Sequence, residues 1–238
     1  MQLAVIVLII LGMATAIWLA IEEQRRLREK RRRKLAGWAQ ASGLKFYPER
    51  DYSIGYRYQA FDCLKQGDNR YGCNIVVGTS GRWLVCGFDY HSDTSNAIVN
   101  GLVSGRRGCF SALVVDAGVP LKPLSIRPQR LIDRFAEFIG FESIDFESVE
   151  FSRRFAVESP DRRWAYDVLH QKTMELMLEY PRFRIDFLGT KVAAYSGDTE
   201  FSPDEFQSAL NLVTGILDNL PESMLVELKG ASSGGASS

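Results

Sequence analysis

The first 21 residues, Met1 to Ile21, carry no charged side chain, and eight of the ten positions from Arg25 to Lys34 are Lys or Arg. That junction constrains the chain more than anything after it. At 1.5 Å per residue the uncharged run makes roughly 30 Å of helix, the thickness of a bilayer's hydrocarbon core. Ala14-Thr15-Ala16 resembles the cleavage site of a secretory signal. However, the apolar run continues through Ile17-Trp18-Leu19-Ala20-Ile21, and no basic segment precedes it. The sequence therefore predicts a transmembrane helix over 1–21. The positive-inside rule places the N-terminus outside and the following domain in the cytoplasm, as a single-pass protein of the cell membrane.

The chain is formally neutral, with 29 basic and 29 acidic residues. Setting aside the eight collar cations and Glu22, Glu23 and Glu29 leaves 21 against 26, a net −5 over 35–238. A domain without a basic stripe of its own is not a nucleic-acid binder. The collar Arg25, Arg26, Arg28, Lys30, Arg31, Arg32, Arg33 and Lys34 is expected to be topogenic and to meet anionic headgroups. Each cation near such a leaflet is worth about 1 kcal/mol, enough together to lay the collar along the membrane.

Good helix formers carry the helix over 22–43, with Leu27, Leu35 and Trp38 as a weak apolar stripe and Gly43 as its stop. Residues 44–229 suffice for one α+β domain, a mainly antiparallel sheet with about three packed helices. Tyr71–Val77 and Trp83–Tyr90 read as a hairpin that sets Cys73 against Cys86, Ile75 against Leu84, Tyr71 against Phe88 and Arg70 against Asp89. The stretch from Asp93 to Gly108 reads as a loop. Phe110–Asp116 and Leu124–Arg127 read as strands turned by Gly118-Val119-Pro120.

A helix is expected from Pro128, with Leu131, Phe135, Phe138 and Ile139 on one face. Phe155–Glu158 is expected as a strand, followed by one helix from Ser159-Pro160-Asp161 to Glu179. Phe183–Leu188 and Lys191–Tyr195 form a hairpin across Gly189-Thr190. Ser202-Pro203-Asp204-Glu205 is a capping box with Pro at N1, opening a helix whose core face is Phe206, Leu210, Val213 and Leu217. Met224–Leu228 alternates like a final strand, and 230–238, all Gly, Ala and Ser, read as a flexible tail.

No nucleotide, phosphate, hydrolase or zincin motif is present, and only two histidines exist. Asp89, Tyr90, His91 and Asp93 bring acid, phenol and imidazole together at a strand end. That is the one polar cluster able to hold a divalent metal or run acid–base chemistry. Its plainer reading is a strand end with Asp89 paired to Arg70. His170 belongs with Met174 and Met177 on a packed helix face. Cys63, Cys73, Cys86 and Cys109 lack zinc-site spacing and should be reduced thiols in the cytoplasm. Cys73 and Cys86 would bridge only in an exported domain.

Asn74-Ile-Val-Val-Gly78-Thr79-Ser-Gly81-Arg82 followed by Phe88-Asp89-Tyr90 resembles a pattern in a bacterial, largely actinobacterial, family of single-span membrane proteins of unknown function. So does Glu150-Phe151-Ser-Arg153-Arg154-Phe155-Ala-Val157 followed by Asp161, Ala165, Val168-Leu169 and Met174-Glu-Leu-Met177. The likeness covers nearly the whole chain and implies anchorage and a bacterial source. It supplies no catalytic residue and implies that the position of His91 is tolerant.

The expected function is thus a membrane-anchored, non-enzymatic module that binds a protein partner at the inner leaflet or lipid headgroups, with no cofactor and no metal. The alternative is a metal-dependent or hydrolytic enzyme centred on Asp89, His91 and Asp93. A third reading assigns the activity to the span and collar, as a device for assembly within the membrane.

Overall fold

The computed structural model describes residues 2–65, 67–99, 102–129, 144–197 and 199–234, with backbone only at 2–5, 7–8, 94–99, 102–107 and 231–234. Helix α1 runs unbroken from Gln2 to Ala41. Gly43 ends it at φ 70°, where its N–H reaches Gln40 O at 3.1 Å and Leu44 N–H reaches Ala39 O at 2.8 Å. Those two bonds make a Schellman motif, whose left-handed residue is best supplied by glycine. Among the described residues no helix is long and apolar enough to cross a membrane. The unbroken run of described apolar side chains, 9–21, makes only about 20 Å of helix.

Among the described residues six strands form one antiparallel sheet: β1 (Lys45–Tyr47), β2 (Asp68–Ser80), β3 (Trp83–Val99), β4 (Leu102–Pro128), β5 (Phe155–Glu158) and β6 (Arg184–Tyr195). The order is β1-β2-β3-β4-β5, with β6 on the other edge of β4. The α+β class is as expected, but several pairings are not.

The β2–β3 turn is Gly81-Arg82, because Ser80 pairs with Trp83. Gly81 at φ 58° provides the left-handed conformation a two-residue turn requires. A bulge at Asn74, φ 50°, then shifts the register. Cys73 consequently faces Asp89, Cys86 faces Val77 and Tyr71 faces His91, so Cys73 and Cys86 are not partners. All four cysteines are free.

Residues expected to loop between Asp93 and Gly108 instead prolong the β3–β4 ladder, down to Val99 opposite Leu102. Strand β4 does not turn at Gly118-Val119-Pro120. Gly118 takes φ 65°, its N–H bonds Asp116 Oδ1 at 2.9 Å, and β6 kinks beside it at Gly189, φ 60°. A kink keeps Val119 and Leu121 in the core, where a reversing turn would expose them. The same pairing makes β6 one strand rather than a hairpin. Pro128 closes β4 opposite Phe155, and the helix expected after it lies outside the described residues.

On one sheet face the main core gathers Leu35 and Ala39 of α1 with Val85, Leu113 and Val115 of the sheet. It also takes in helices α3 (Val149–Arg154), α4 (Arg162–Val168), α5 (Gln171–Glu179), α6 (Pro203–Asp218) and α7 (Glu222–Gly234). The opposite face, with Cys86, Phe88, Tyr90 and Val114, is covered by Ile54, Tyr58, Phe61 and Leu64 of α2 (Ile54–Arg57) and the 3-10 turn after it.

The helix expected up to Glu179 breaks into α4 and α5. Buried Leu169 leaves helical geometry there, and His170 Nε2 lies 3.0 Å from Asn219 O. Met224–Leu228 is helical, since the N–H groups of Met224 and Leu225 both bond Pro221 O. An apolar run this short does not distinguish strand from helix by its period. The helix continues through Gly234, into the expected tail.

The capping box of α6 is complete. Ser202 Oγ accepts from Glu205 N and Glu205 Oε2 accepts from Ser202 N. Ser202→Ala is expected to cost about 1 kcal/mol in urea denaturation.

Candidate functional site at the helix–sheet junction

Arg31, Leu35 and Ala39 are spaced by four and share one face of α1. Leu35 and Ala39 enter the core, and Arg31, one turn earlier, lies over β3 and β4. There Asp89 is fully buried. Arg31 grips it with both arms of the guanidinium, Nη2 to Oδ1 at 2.7 Å and Nε to Oδ2 at 3.0 Å. Asn74 Nδ2 adds a bond to Oδ2 at 2.8 Å and Ser111 Oγ one to Oδ1 at 2.5 Å. Ser111 Oγ in turn accepts from Phe201 N at 2.8 Å. Burial disfavours the Arg31 charge, but the hydrogen bonds and charge of Asp89 outweigh it, so the Arg31 pKa rises.

This arrangement revises two expectations. Arg31 belongs to the fold rather than to the headgroup collar, and Asp89 pairs with Arg31 rather than Arg70. Arg70 instead donates to the carbonyls of Leu64 and Lys65. The remaining collar residues, Arg25, Arg26, Arg28, Lys30, Arg32, Arg33 and Lys34, are exposed. Two of them pair along the helix, Arg26 with Glu22 and Arg33 with Glu29, each at 3.4 Å.

The Asp89–Asp93 cluster is divided by the strand's alternation. Tyr90 points to the second core and donates to Leu64 O at 2.7 Å. Asp93 accepts from Asn69 Nδ2 at 3.2 Å. His91 turns toward its cross-strand neighbour Cys109, with Nε2 3.6 Å from Sγ. Cys109 Sγ donates to Glu200 Oε1 at 3.0 Å, and the other Glu200 oxygen lies 3.5 Å from Arg31 Nε. The His91 ring stacks on Tyr71 at 4.9 Å, and Tyr71 carries the Arg50 guanidinium on its ring at 4.5 Å.

Burial pushes the His91 pKa down. Burial first, and then the Glu200 carboxylate, push the Cys109 thiol far up. That thiol is therefore a proton donor here and not a ready nucleophile. Asp89 is also no general base, because both its oxygens are held by Arg31, Asn74 and Ser111.

Ser111 and Glu200 were not singled out from the sequence, and Cys109 was named there only as a reduced thiol without zinc-site spacing. Cys109 and Ser111 become visible only once β3 and β4 are in register, two residues apart on the face that carries Asp89 and His91. Glu200 comes from the segment before α6. Arg31 had a readable signal, its four-residue spacing from Leu35 and Ala39.

The molecule is thus of one recognisable kind: a kinked antiparallel sheet with most of its helices on one face and a short helix on the other, and a long basic N-terminal helix bolted to it by a buried ion pair. No protein-family model matches the chain, and no curated protein sequence matches it. Among solved structures it is similar to the crystal structure of the mycobacterial trehalose monomycolate transport factor A, TtfA. That match has a TM-score of 0.57 over 80% of this chain and 96% of that one, at 12% identity. A likeness at that identity establishes a shared fold. It also gives the chain an actinobacterial structural neighbour.

Proposed function

We propose that this chain is a membrane-anchored, non-enzymatic accessory of lipid handling, with residues 1–21 as its span and the α+β domain held at the cytoplasmic leaflet. The observation that carries the reading is the exposed collar directly after an uncharged run on the same unbroken helix. The structural neighbour acts in transport of trehalose monomycolate, a glycolipid, which supports a lipid-related role.

Because α1 is continuous, the collar stands away from the leaflet and does not lie along it. Counted from Ile21 along the helix, Arg25 and Arg26 then fall within about one Debye length, roughly 8 Å, of the end of the span. Two such cations supply about 2 kcal/mol of attraction.

Topology tests the proposal. With a pair of reporters fused after Ser238, one active only in the cytoplasm and one only outside, the cytoplasmic signal should dominate. Replacing the seven exposed collar cations, Arg25, Arg26, Arg28, Lys30, Arg32, Arg33 and Lys34, with Gln should lower the cytoplasmic-to-external ratio by at least about tenfold, or 1.4 kcal/mol. A domain recovered free of membranes would overturn the anchor, and a dominant external signal would overturn the orientation.

A further inference from the structure

We propose that His91, Cys109 and Glu200 form a binding site for one borderline-soft divalent cation of the zinc class. Imidazole nitrogen, thiolate sulfur and carboxylate oxygen are the three ligand types such an ion takes. Here one atom of each lies within 4.8 Å of the others. In tetrahedral coordination, with Zn–N about 2.05 Å and Zn–S about 2.3 Å, the nitrogen and sulfur sit about 3.6 Å apart. His91 Nε2 and Cys109 Sγ are 3.6 Å apart. The Cys109–Glu200 separation of 3.0 Å is that of a thiol proton held between sulfur and oxygen, and it opens by about half an ångström when an ion replaces the proton.

The exchange balances simply. The S–H bond breaks, a sulfur–metal bond forms, and the proton leaves to water. No oxidant or reductant takes part.

The surroundings hold these ligands as supporting residues do in metal sites. Tyr71 fixes the plane of the His91 ring, and Arg31 Nε lies near the Glu200 oxygen that does not face Cys109. Glu200 is the exposed member, its side chain 39% accessible, and provides the way in and a fourth position for water or a ligand. The three ligands come from β3, β4 and the segment leading into α6, so a bound ion would tie that segment to the sheet beside the point where α1 departs. The proposal is independent of the membrane reading.

The purified full chain, reduced and stripped with a chelator, is titrated with Co²⁺ and then competed with Zn²⁺. The expected result is a single equivalent of Co²⁺ with a near-ultraviolet thiolate-to-cobalt charge-transfer band. That band should be lost in Cys109→Ser and kept in Cys73→Ser. His91→Asn and Glu200→Gln should each weaken binding by at least about tenfold, the order of loss that even supporting residues produce. Absence of the band, or a band that survives Cys109→Ser, overturns the site. If circular dichroism shows Cys109→Ser to be unfolded, Glu200→Gln decides, and unchanged Co²⁺ affinity there overturns the proposal equally.

Discussion

Arg31→Ala is expected to destabilise the domain by about 3 kcal/mol, whereas Arg33→Ala, half a turn away, should stay within about 0.5 kcal/mol. The two residues look alike in sequence, in the middle of one basic run. Their surroundings differ. The Arg33 side chain is 79% exposed and pairs with Glu29, itself half exposed, an arrangement worth a few tenths of a kcal/mol. Arg31 faces a carboxylate with no solvent exposure at all. Removing the guanidinium leaves that charge buried without its counter-ion, and this is the costly half of any buried pair. Asn74 and Ser111 still donate to Asp89, which keeps the loss at the lower end of the usual range of about 3–5 kcal/mol.

Urea denaturation of both variants makes the comparison. Arg31→Ala combined with Asp89→Ala should cost less than the two single losses added, because no orphan charge remains. Equal, small losses for Arg31→Ala and Arg33→Ala would mean that the ion pair does not fasten α1 to the sheet.

Local rules carried the sequence reading where the determinants are local. The α6 capping box, Gly43 as the stop of α1 and the strand Phe155–Glu158 all rest on a few adjacent residues. Pairing failed where the decisive partner is distant. Matching side-chain types across β2 and β3 favoured Cys73 opposite Cys86, but the turn at Gly81-Arg82 and the Asn74 bulge set the register. The bulge is marked only by an Asn that tolerates positive φ.

Glycines raised the same difficulty. Gly118 and Gly189 each read as a turn in isolation, yet side by side they let two long strands kink together. The candidate site shared that fate. His91 was legible as a polar residue at a strand end, but Cys109 is 18 positions away and Glu200 another 91. Only the β3–β4 register and the approach of the segment before α6 bring them together.

The second large effect is expected at Phe206, where α1, α6 and the sheet meet. Phe206 is fully buried. Its ring stacks on Trp38 of α1 at 5.4 Å and meets Phe201 edge-on at 5.2 Å. On the sheet side it lies against Gly87, where an added Cβ would come within 3.0 Å of the ring. The absence of a side chain at Gly87 is thus what lets the aromatic ring sit on β3. Phe206→Ala removes the filler common to all three elements and should cost about 3–5 kcal/mol by urea denaturation. Phe206→Leu, which keeps most of the volume, should lose less.

The loss should also loosen α1 itself. Trp38 would lose its stacking partner and keep its indole hydrogen bond to Gln207, 2.9 Å, a bond that water can replace at little net cost. Near-ultraviolet circular dichroism of the tryptophans should therefore weaken in Phe206→Ala under conditions where the helical signal is retained. A cost below about 1 kcal/mol, the ordinary range for a single substitution, would place the attachment of α1 on Arg31, Leu35 and Ala39 rather than on the Trp38–Phe206 stack.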